Sequence, residues 1–529
     1  MKKLITIFLI LLTATLFSQT TVYVDPTAGS GGDGSIESPF DSWEDVSFSN
    51  GNTYLQKRGT TYHMPTYINI DGITNVHVGA YGTGTEYAYI VDDRNTGDAN
   101  YACINTGNSE GLLIDSLSFY GTNYPSYMSI AAISMGKSEW SANTNNDITI
   151  RDCKIRRFNW GIRGLTYLWG TEADTELDKF GNLHISRTEI DSTYDDGIFL
   201  QRLGTPITTD TAFIIDYCHI SRVNQQYDYA GTWAGDCIQY SGTFNGVYIV
   251  KNNALIRYNY EKFNVIFNSK GTGTTGLLRG DGGKVIIEKN YIDAPATNAS
   301  ALYLTVHYLW PQNDSVQFIV RNNTFISDDG VNGIYFATDD ATKVHNTYVY
   351  GNTFEGFGTC TNSGAPTGNV SFYNNIFDGY TTQAIRHPSV DVRNNMFIGD
   401  GGGTAIVTSG EWTLNQDANW YTNGLDLSIS VKDSTGNIVF NDTSVYYNSV
   451  WLQDCGLTSA TTVRNYGVQS TSHTIDAGVI IPMITYDNDS IIYSGAYDIG
   501  AYEYVLDVPT SNPNSKIYIY DGKLIIYTK

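Results

Sequence analysis

The stretch IVKNNAL, residues 249–255, contains a pattern that recurs through the chain: two apolar residues, a pair of residues ending in Asn, and an apolar or aromatic residue. Its later copies are VIIEKNYI, IVRNNTFI, VYGNTFE, FYNNIFD and VRNNMFI, and the second Asn falls at Asn253, Asn290, Asn323, Asn352, Asn375 and Asn395. These positions are 37, 33, 29, 23 and 20 residues apart. A drifting repeat of this length indicates stacked units that complete one core together.

The repeat extends backwards through IRDCKI, HISRTEI and IIDYCHI, which place Cys153, Thr188 and Cys218 at the Asn position. In a parallel β-helix, small polar residues at successive bends can stack and hydrogen-bond along a ladder. We therefore predict an all-β, right-handed parallel β-helix. Six cysteines in an exported chain would suggest disulfides. However, Cys153 and Cys218 are two coils apart at about 4.8 Å per coil, so we predict buried, unbridged ladder members.

Composition agrees with a strand-rich chain. Forty Tyr, 52 Gly and only 12 Pro describe many strands joined by turns, and a helical bundle is excluded. With 54 acidic and 31 basic residues, the net charge of −23 argues against a nucleic-acid partner. The same charge would repel a strongly anionic polymer unless the binding groove were locally basic.

The N-terminus predicts export. Residues 1–19 carry Lys2 and Lys3, an apolar run and then small polar residues, which is the layout of a signal peptide. We expect a secreted or cell-surface monomer without a membrane span, and one β-helix domain over residues 20–507. The segment SPFDSWEDV predicts a short capping helix with Ser38 as N-cap and Pro39 at the first helical position.

Several terminal segments carry resemblances. TVYVDPTAGSGGDGSIESPFDSW with NGNTYLQKRGTTY, and the late HTIDAGV with YDIGAYEY, resemble the opening and closing segments of bacterial right-handed β-helix proteins of the pectin-lyase-like kind. This resemblance spans most of the chain and implies an architecture. Residues 508–529 resemble a linker and a partial C-terminal sorting domain of the Bacteroidetes type IX secretion system, without its basic terminal segment.

A second phase of the repeat follows each bend, in GIFLQ, CIQYS, VIFNS, LYLTV and GIYFA. Alternation predicts one set of residues pointing into the core: Ile198, Ile238, Ile266 and Ile334. It predicts another set pointing out: Phe199, Gln239, Phe267 and Tyr335. Aligning the isoleucines stacks Asp196, Asp236 and Asn264 on successive coils, with Asp195, Lys262 and Lys270 nearby.

This stack supplies the candidate catalytic residues: Asp196, Asp236, Asp195 and Lys262. Two carboxyl groups one coil apart, about 5 Å, can perturb each other's pKa and act as acid and base. The pair favours a glycoside hydrolase, retaining at about 5 Å and inverting above about 6.5 Å. The grouping resembles the three aspartates of family-28 polygalacturonases, although the NTDG and GHG motifs of that family are missing.

A polysaccharide lyase is the alternative, with β-elimination on a uronate polymer. It requires a base and a cation that neutralises the uronate carboxylate. Ca²⁺ could bind at Asp195, Asp196 and Asp236, with Lys262 or Lys270 as the base. This combination of calcium and lysine resembles that of the β-helix pectate lyases. A later set, Tyr303, His307 and Arg386, offers a second base and cation. No other cofactor is required.

A non-catalytic polysaccharide-binding surface protein is the second alternative, with the aspartates as bend residues. In each interpretation the partner is a polysaccharide lying in an open groove. Polar side chains can donate to sugar hydroxyls, and Trp233 lies in the long insertion between the two aspartate coils, where an aromatic face can meet a sugar ring. The predicted substrate-binding residues are Arg163, Gln201, Arg202, Gln239, Trp233, Lys270, Tyr303, His307 and Arg386.

Overall fold

The computed structural model describes the following residues: 19–94, 102–122, 131–135, 144–165, 179–201, 205–206, 211–223, 235–241, 246–256, 263–269, 283–293, 300–306, 317–327, 332–338, 346–363, 370–387, 390–398, 404–407, 414–417, 420–421, 515–520 and 523–528. Within these ranges the chain forms 43 strands and one short 3-10 helix. No helix in the described ranges is long and apolar enough to cross a membrane. The predicted signal peptide lies outside them, except for Gln19.

Three parallel sheets run side by side along the coil, and their strands are numbered here in chain order. Sheet A contains β1 (Thr21–Val24), β2 (Thr53–Lys57), β5 (His77–Tyr81), β8 (Glu110–Asp115), β11 (Thr144–Arg151), β14 (Lys179–Gly181), β15 (Leu183–Ser186), β18 (Thr205–Pro206), β19 (Thr211–Asp216), β22 (Val247–Lys251), β25 (Lys284–Glu288), β28 (Gln317–Arg321), β31 (Asn346–Tyr350), β34 (Val370–Tyr373), β37 (Val390–Arg393) and β40 (Leu414–Asp417).

Sheet B follows sheet A across a two-residue bend in most coils. It contains β3 (Thr61–Met64), β6 (Ala88–Asp92), β9 (Leu117–Gly121), β12 (Lys154–Arg156), β16 (Glu189–Asp191), β20 (His219–Ser221), β23 (Ala254–Ile256), β26 (Tyr291–Asp293), β29 (Thr324–Ile326), β32 (Thr353–Glu355), β35 (Ile376–Asp378), β38 (Met396–Ile398) and β41 (Trp420–Tyr421).

Sheet C completes the coil. It contains β4 (Ile68–Asn69), β7 (Ile104–Gly107), β10 (Ala131–Met135), β13 (Trp160–Leu165), β17 (Ile198–Gln201), β21 (Asp236–Ser241), β24 (Phe263–Ser269), β27 (Ser300–Val306), β30 (Asn332–Thr338), β33 (Thr359–Ser363), β36 (Gln383–Arg386) and β39 (Thr404–Val407). Separately, β42 (Ser515–Tyr520) and β43 (Lys523–Thr528) form an antiparallel hairpin within the segment predicted to be sorting-like.

This topology confirms the predicted all-β parallel β-helix. Each strand pairs in parallel with its counterpart one coil away, and connections of this kind are right-handed in nearly all proteins. Among the described residues, one large hydrophobic cluster runs through the interior from Val24 to Ile406. Three of the predicted core isoleucines, Ile198, Ile238 and Ile334, are fully buried in it.

The repeated Asn residues form the predicted ladder at the bend between sheets A and B. Asn323 is typical: its Oδ1 accepts from the Asn290 backbone N–H at 3.0 Å and from the Asn290 Nδ2 at 2.9 Å. Its own Nδ2 donates to Asn352 Oδ1 and to the Ile287 carbonyl, both at 2.9 Å. The amide therefore satisfies buried backbone groups that a sharp bend would leave unpaired.

The residue before each ladder position has a left-handed backbone. Asn252, Asn322 and Asn394 have φ between 55 and 57°, a region that Asn tolerates better than most residues. Gly351 occupies the same place, and a Cβ there would lie 2.3 Å from Asn322 Oδ1. The recurring NN and GN pairs thus combine one turn-forming residue with one ladder residue.

The ladder continues into the earlier coils through cysteine, as predicted. The Cys218 backbone N–H donates to Asn253 Oδ1 at 2.8 Å, and both Cys153 and Cys218 are buried and free. Burial raises the pKa of both thiols to about 12. All five cysteines in the described ranges are free and buried: Cys103, Cys153, Cys218, Cys237 and Cys360.

We expect these five thiols to be unreactive in the folded protein, because a thiol-specific reagent requires an accessible thiolate. A chromogenic thiol assay at neutral pH should therefore detect at most Cys455, which lies outside the described residues, until denaturant is added. Rapid reaction of several thiols without denaturant would contradict this burial.

The predicted capping helix is wrong in its position and type. The structure has one 3-10 turn, Trp43–Asp45, and its N-cap is Ser42, not Ser38. Phe40 forms a bridge with Val24, and its N–H donates to the Tyr23 carbonyl at 3.0 Å. Because these backbone groups are engaged in strand-type bonds, a helix cannot begin at Pro39.

Candidate functional site

The first two aspartate coils are in the predicted register. Ile198 of β17 pairs with Ile238 of β21, so Asp196 and Asp236 occupy equivalent places on neighbouring coils. A Cβ at Gly197 would lie 2.6 Å from Ile220 Cγ2, which shows that Gly197 faces the core. Since Ile198 is also buried in the core, the alternation of side chains is interrupted next to Asp196, at the corner where sheet C begins.

Both carboxyl groups are nevertheless buried, with only 2% of each residue exposed. The solvent-open position predicted for this pair is therefore not observed. Asp196 Oδ1 accepts from the Asp236 backbone N–H at 2.7 Å, and its Oδ2 accepts from Trp160 Nε1–H at 3.2 Å. The two aspartates are thus joined across coils, and Trp160 supplies a further donor.

Burial dominates the electrostatics of this group. It raises the pKa of Asp196 well above the ordinary value, and the charges of Asp195 and Asp236 add to the rise. Burial also raises the pKa of Asp195 to about 6, partly offset by a hydrogen bond from Trp160. Asp195 remains partly exposed. Neighbouring carboxyl groups with perturbed pKa values are candidates for catalytic residues.

The third coil is not in the predicted register. Asp236 pairs with Phe263, and Ile238 pairs with Val265, so Asn264 is one position away from the predicted stack. Ile266 pairs with Gln239, and Phe267 pairs with Tyr240, so both positions are one residue away from the predicted register. The error arises because Val265 and Ile266 are both β-branched and apolar, so either could fill the core position.

The calcium site predicted at Asp195, Asp196 and Asp236 does not fit this geometry. Ca²⁺ takes six to eight oxygen ligands. Both carboxylate oxygens of Asp196 already accept hydrogen bonds from N–H groups. Over the described ranges, no three His, Cys, Asp or Glu side chains are grouped so that they could hold a metal ion.

A continuous row of residues runs along the outer face of sheet C, beside the aspartates. We call it the central row; it comprises Asn69, Asn105, Ser134, Arg163, Phe199, Gln239, Ile266, Tyr303, Tyr335, Asn362, Arg386 and Val407. Twelve coils span roughly 50 Å. Two members are arginine and none is acidic, in a chain whose net charge is −23.

Aromatic side chains form two stacked pairs on this face. The Trp160 ring lies 5.7 Å from that of Phe199, at 14° between planes, and the Arg163 guanidinium lies 4.7 Å from the Trp160 ring centroid. Four coils beyond β13, Tyr303 and Tyr335 stack at 5.5 Å and 11°. The first pair lies beside the aspartates, and the second lies further along the central row, on later coils.

Four predicted substrate-binding residues therefore share one surface: Arg163, Gln239, Tyr303 and Arg386 all belong to the central row. Gln201 lies on the same strand as Phe199, two positions further, and its backbone alone is described. The other predicted residues lie outside the described residues: Lys262, Arg202, Trp233, Lys270 and His307.

Trp160 was not predicted from the sequence. A signal for it exists, because WGI at 160–162 aligns with DGI at 196–198 and DCI at 236–238. Trp160 thus stands one coil before Asp196 at the equivalent position, as the paired strands confirm. Because Trp160 is not a carboxylate, the aspartate pattern alone does not include it.

No family model matches the chain, and no curated protein matches its sequence. Among solved structures, pectate lyase Pel9A is 13% identical, with 93% of this chain and 98% of that chain covered and a TM-score of 0.40. The catalytic unit of a GH87 α-1,3-glucanase from Streptomyces thermodiastaticus strain HF3-3 is 12% identical, with 76% and 69% covered and a TM-score of 0.49. XylC in complex with xylose is 11% identical, with 91% and 98% covered and a TM-score of 0.47.

Proposed function

We propose that this protein is a secreted glycoside hydrolase that binds a polysaccharide along the central row and cleaves it beside Asp195, Asp196 and Asp236. The observation that carries this proposal is the position of three neighbouring carboxyl groups, two of them buried, next to a long row of aromatic and hydrogen-bonding side chains. Buried carboxyl groups are costly, so a fold keeps them only with compensating interactions or for use.

Asp195 is the proposed general acid. Asp195 is partly exposed, and a pKa of about 6 leaves its carboxyl group protonated under mildly acidic conditions. Glycoside hydrolysis requires two carboxyl groups that flank the scissile glycosidic bond, one protonated and the other ionised. Asp236, on the neighbouring coil, is the proposed ionised group, because burial and neighbouring charges raise the pKa of Asp196 and favour its protonated form.

The pH dependence follows from this assignment. Activity that needs protonated Asp195 falls as the pH rises through about 6, because the carboxyl group loses its proton there. We expect a descending limb in kcat/KM centred near this value, measured as new reducing ends released from a polysaccharide. A rate that stays constant from about pH 5 to 8 would remove Asp195 from the acid role.

The central row supplies binding. Because the Tyr303 and Tyr335 rings cover each other's faces, they present their edges and hydroxyl groups to a polymer. We expect Tyr335→Ala to weaken polymer binding about 5- to 10-fold, and Tyr335→Phe to weaken it less because only a hydroxyl is lost. Tyr89→Ala, which removes an exposed Tyr from sheet B, is the matched control and should leave affinity unchanged in isothermal titration. Equal effects at Tyr335 and Tyr89 would contradict binding on sheet C.

A polysaccharide lyase is the second candidate, favoured by the cation of Arg163 beside the aspartates. A guanidinium there could neutralise a uronate carboxylate. Incubation of the mature protein with neutral and uronate polysaccharides separates the reactions. Reducing ends without ultraviolet absorbance support the hydrolase, unsaturated products that absorb in the ultraviolet show a lyase, and binding without cleavage overturns both.

A further inference from the structure

Trp160 stands between the central row and the buried carboxyl groups. Its Nε1–H donates to Asp196 Oδ2 at 3.2 Å and also lowers the pKa of Asp195. Its ring is stacked on Phe199 and lies under the guanidinium of Arg163. One residue therefore contacts two members of the row and two of the three carboxyl groups.

These contacts determine how strongly the indole donates. The stacked Phe199 ring restrains the indole plane, which directs Nε1–H at the carboxyl pair. A cation over the face of an indole is attracted to its π-electrons, and this withdraws electron density from the ring and makes the N–H a better donor. A donor to a carboxylate favours its ionised form.

We infer that Trp160 is a positioning residue that couples occupation of the central row to the protonation of the Asp195 and Asp196 pair. A polymer on the row contacts Arg163 and Phe199, the two residues that hold the indole. Any shift of either side chain changes the direction or strength of the donor. Only the link to substrate rests on the proposed function; the effect on the carboxyl groups belongs to the free protein.

The charged groups around the pair are few within the described residues. Asp195 and Asp236 face Asp196 directly, and Arg163 acts through the indole. Both aspartates oppose ionisation of Asp196, whereas the Asp236 backbone N–H and the Trp160 N–H favour it. Trp160 therefore provides one of the two donors that counter burial.

Trp160→Phe tests this inference, because Phe retains an aromatic ring for stacking and lacks the N–H. We expect the pKa values of Asp195 and Asp196 to rise by about one unit each, measured from carboxyl carbon shifts in protein labelled at aspartate. Trp43→Phe is the matched control: it removes the equivalent donor to Gln56 in the N-terminal cap, and should leave both values unchanged.

Shifts smaller than about 0.2 unit in folded Trp160→Phe would overturn the inference. If that variant does not fold, the wild-type protein gives the answer. Its Trp160 Nε1–H resonance should move with the midpoint of the aspartate titration, and an unmoved resonance would equally overturn it. A protein that cleaves no polysaccharide would refute the proposed function while leaving this titration result intact.

Discussion

Asp195→Asn is expected to lower the rate of polysaccharide cleavage by about 10²- to 10⁴-fold, the usual contribution of a general acid. The amide keeps the size of the side chain and cannot donate the required proton. The measurement is kcat/KM from reducing-end release, with binding followed separately by titration. Affinity for the polymer should change little, because the binding row remains intact.

The same substitution is expected to stabilise the fold above pH 6. The pKa of Asp195 is about 6 in the folded protein and near 3.8 otherwise, so the folded state binds a proton that the unfolded state releases. The contribution of Asp195 to stability is therefore fully present below about pH 4 and is lost as the pH rises through about 6. Asp195→Asn has no charge to bury, so it lacks this decrease. At pH 7.5 its free energy of unfolding should exceed that of the wild-type protein by about 1–2 kcal/mol, a value reduced by solvent screening of the partly exposed Asp195.

Asp152→Asn is the matched control for both measurements. Asp152 is exposed and pairs with Arg187 at 2.7 Å, at the bend between sheets A and B. Its replacement changes the charge equally and should leave activity within about 2-fold and stability within about 0.5 kcal/mol. Asp195→Asn with normal turnover would leave the aspartate group as a structural feature of the bend.

Asn323→Ala is expected to destabilise the protein by about 3–5 kcal/mol, the largest stability change among these predictions. Truncation leaves the Asn290 N–H and the Ile287 carbonyl without their ladder partner, at a site from which water is excluded. Each unsatisfied buried group costs about 1–3 kcal/mol. Urea unfolding, followed by circular dichroism, measures the change.

Asn346→Ala provides the comparison, since Asn346 is exposed at the start of β31. We expect its urea midpoint to lie near that of the wild-type protein. Because neighbouring coils stabilise one another in a solenoid, the Asn323 variant should lose structure in the coils on both sides of the ladder position. Similar midpoints for the two variants would mean that the ladder contributes little to stability.

The coil was predictable because its signals are local and repeated. The same features recur from coil to coil: a ladder Asn, a left-handed residue before it, and isoleucines that alternate with outward residues. Every copy therefore supports the same interpretation. The cap was less predictable. SPFDSWEDV contains a suitable helix N-cap at Ser38, yet the bridge between Phe40 and Val24 engages the backbone there, and no local pattern reports a partner 16 residues earlier.

The candidate site was likewise predictable only in part. Sequence alone determined that this chain is a β-helix and that Asp196 and Asp236 fall on neighbouring coils, because identical spacing from a core isoleucine places residues in register. Only the tertiary structure decided that both are buried, that the third coil is displaced by one residue, and that Trp160 contacts Asp196. Burial and contact depend on side chains from other coils, and segments of unequal length between strands leave that pairing unspecified by sequence spacing.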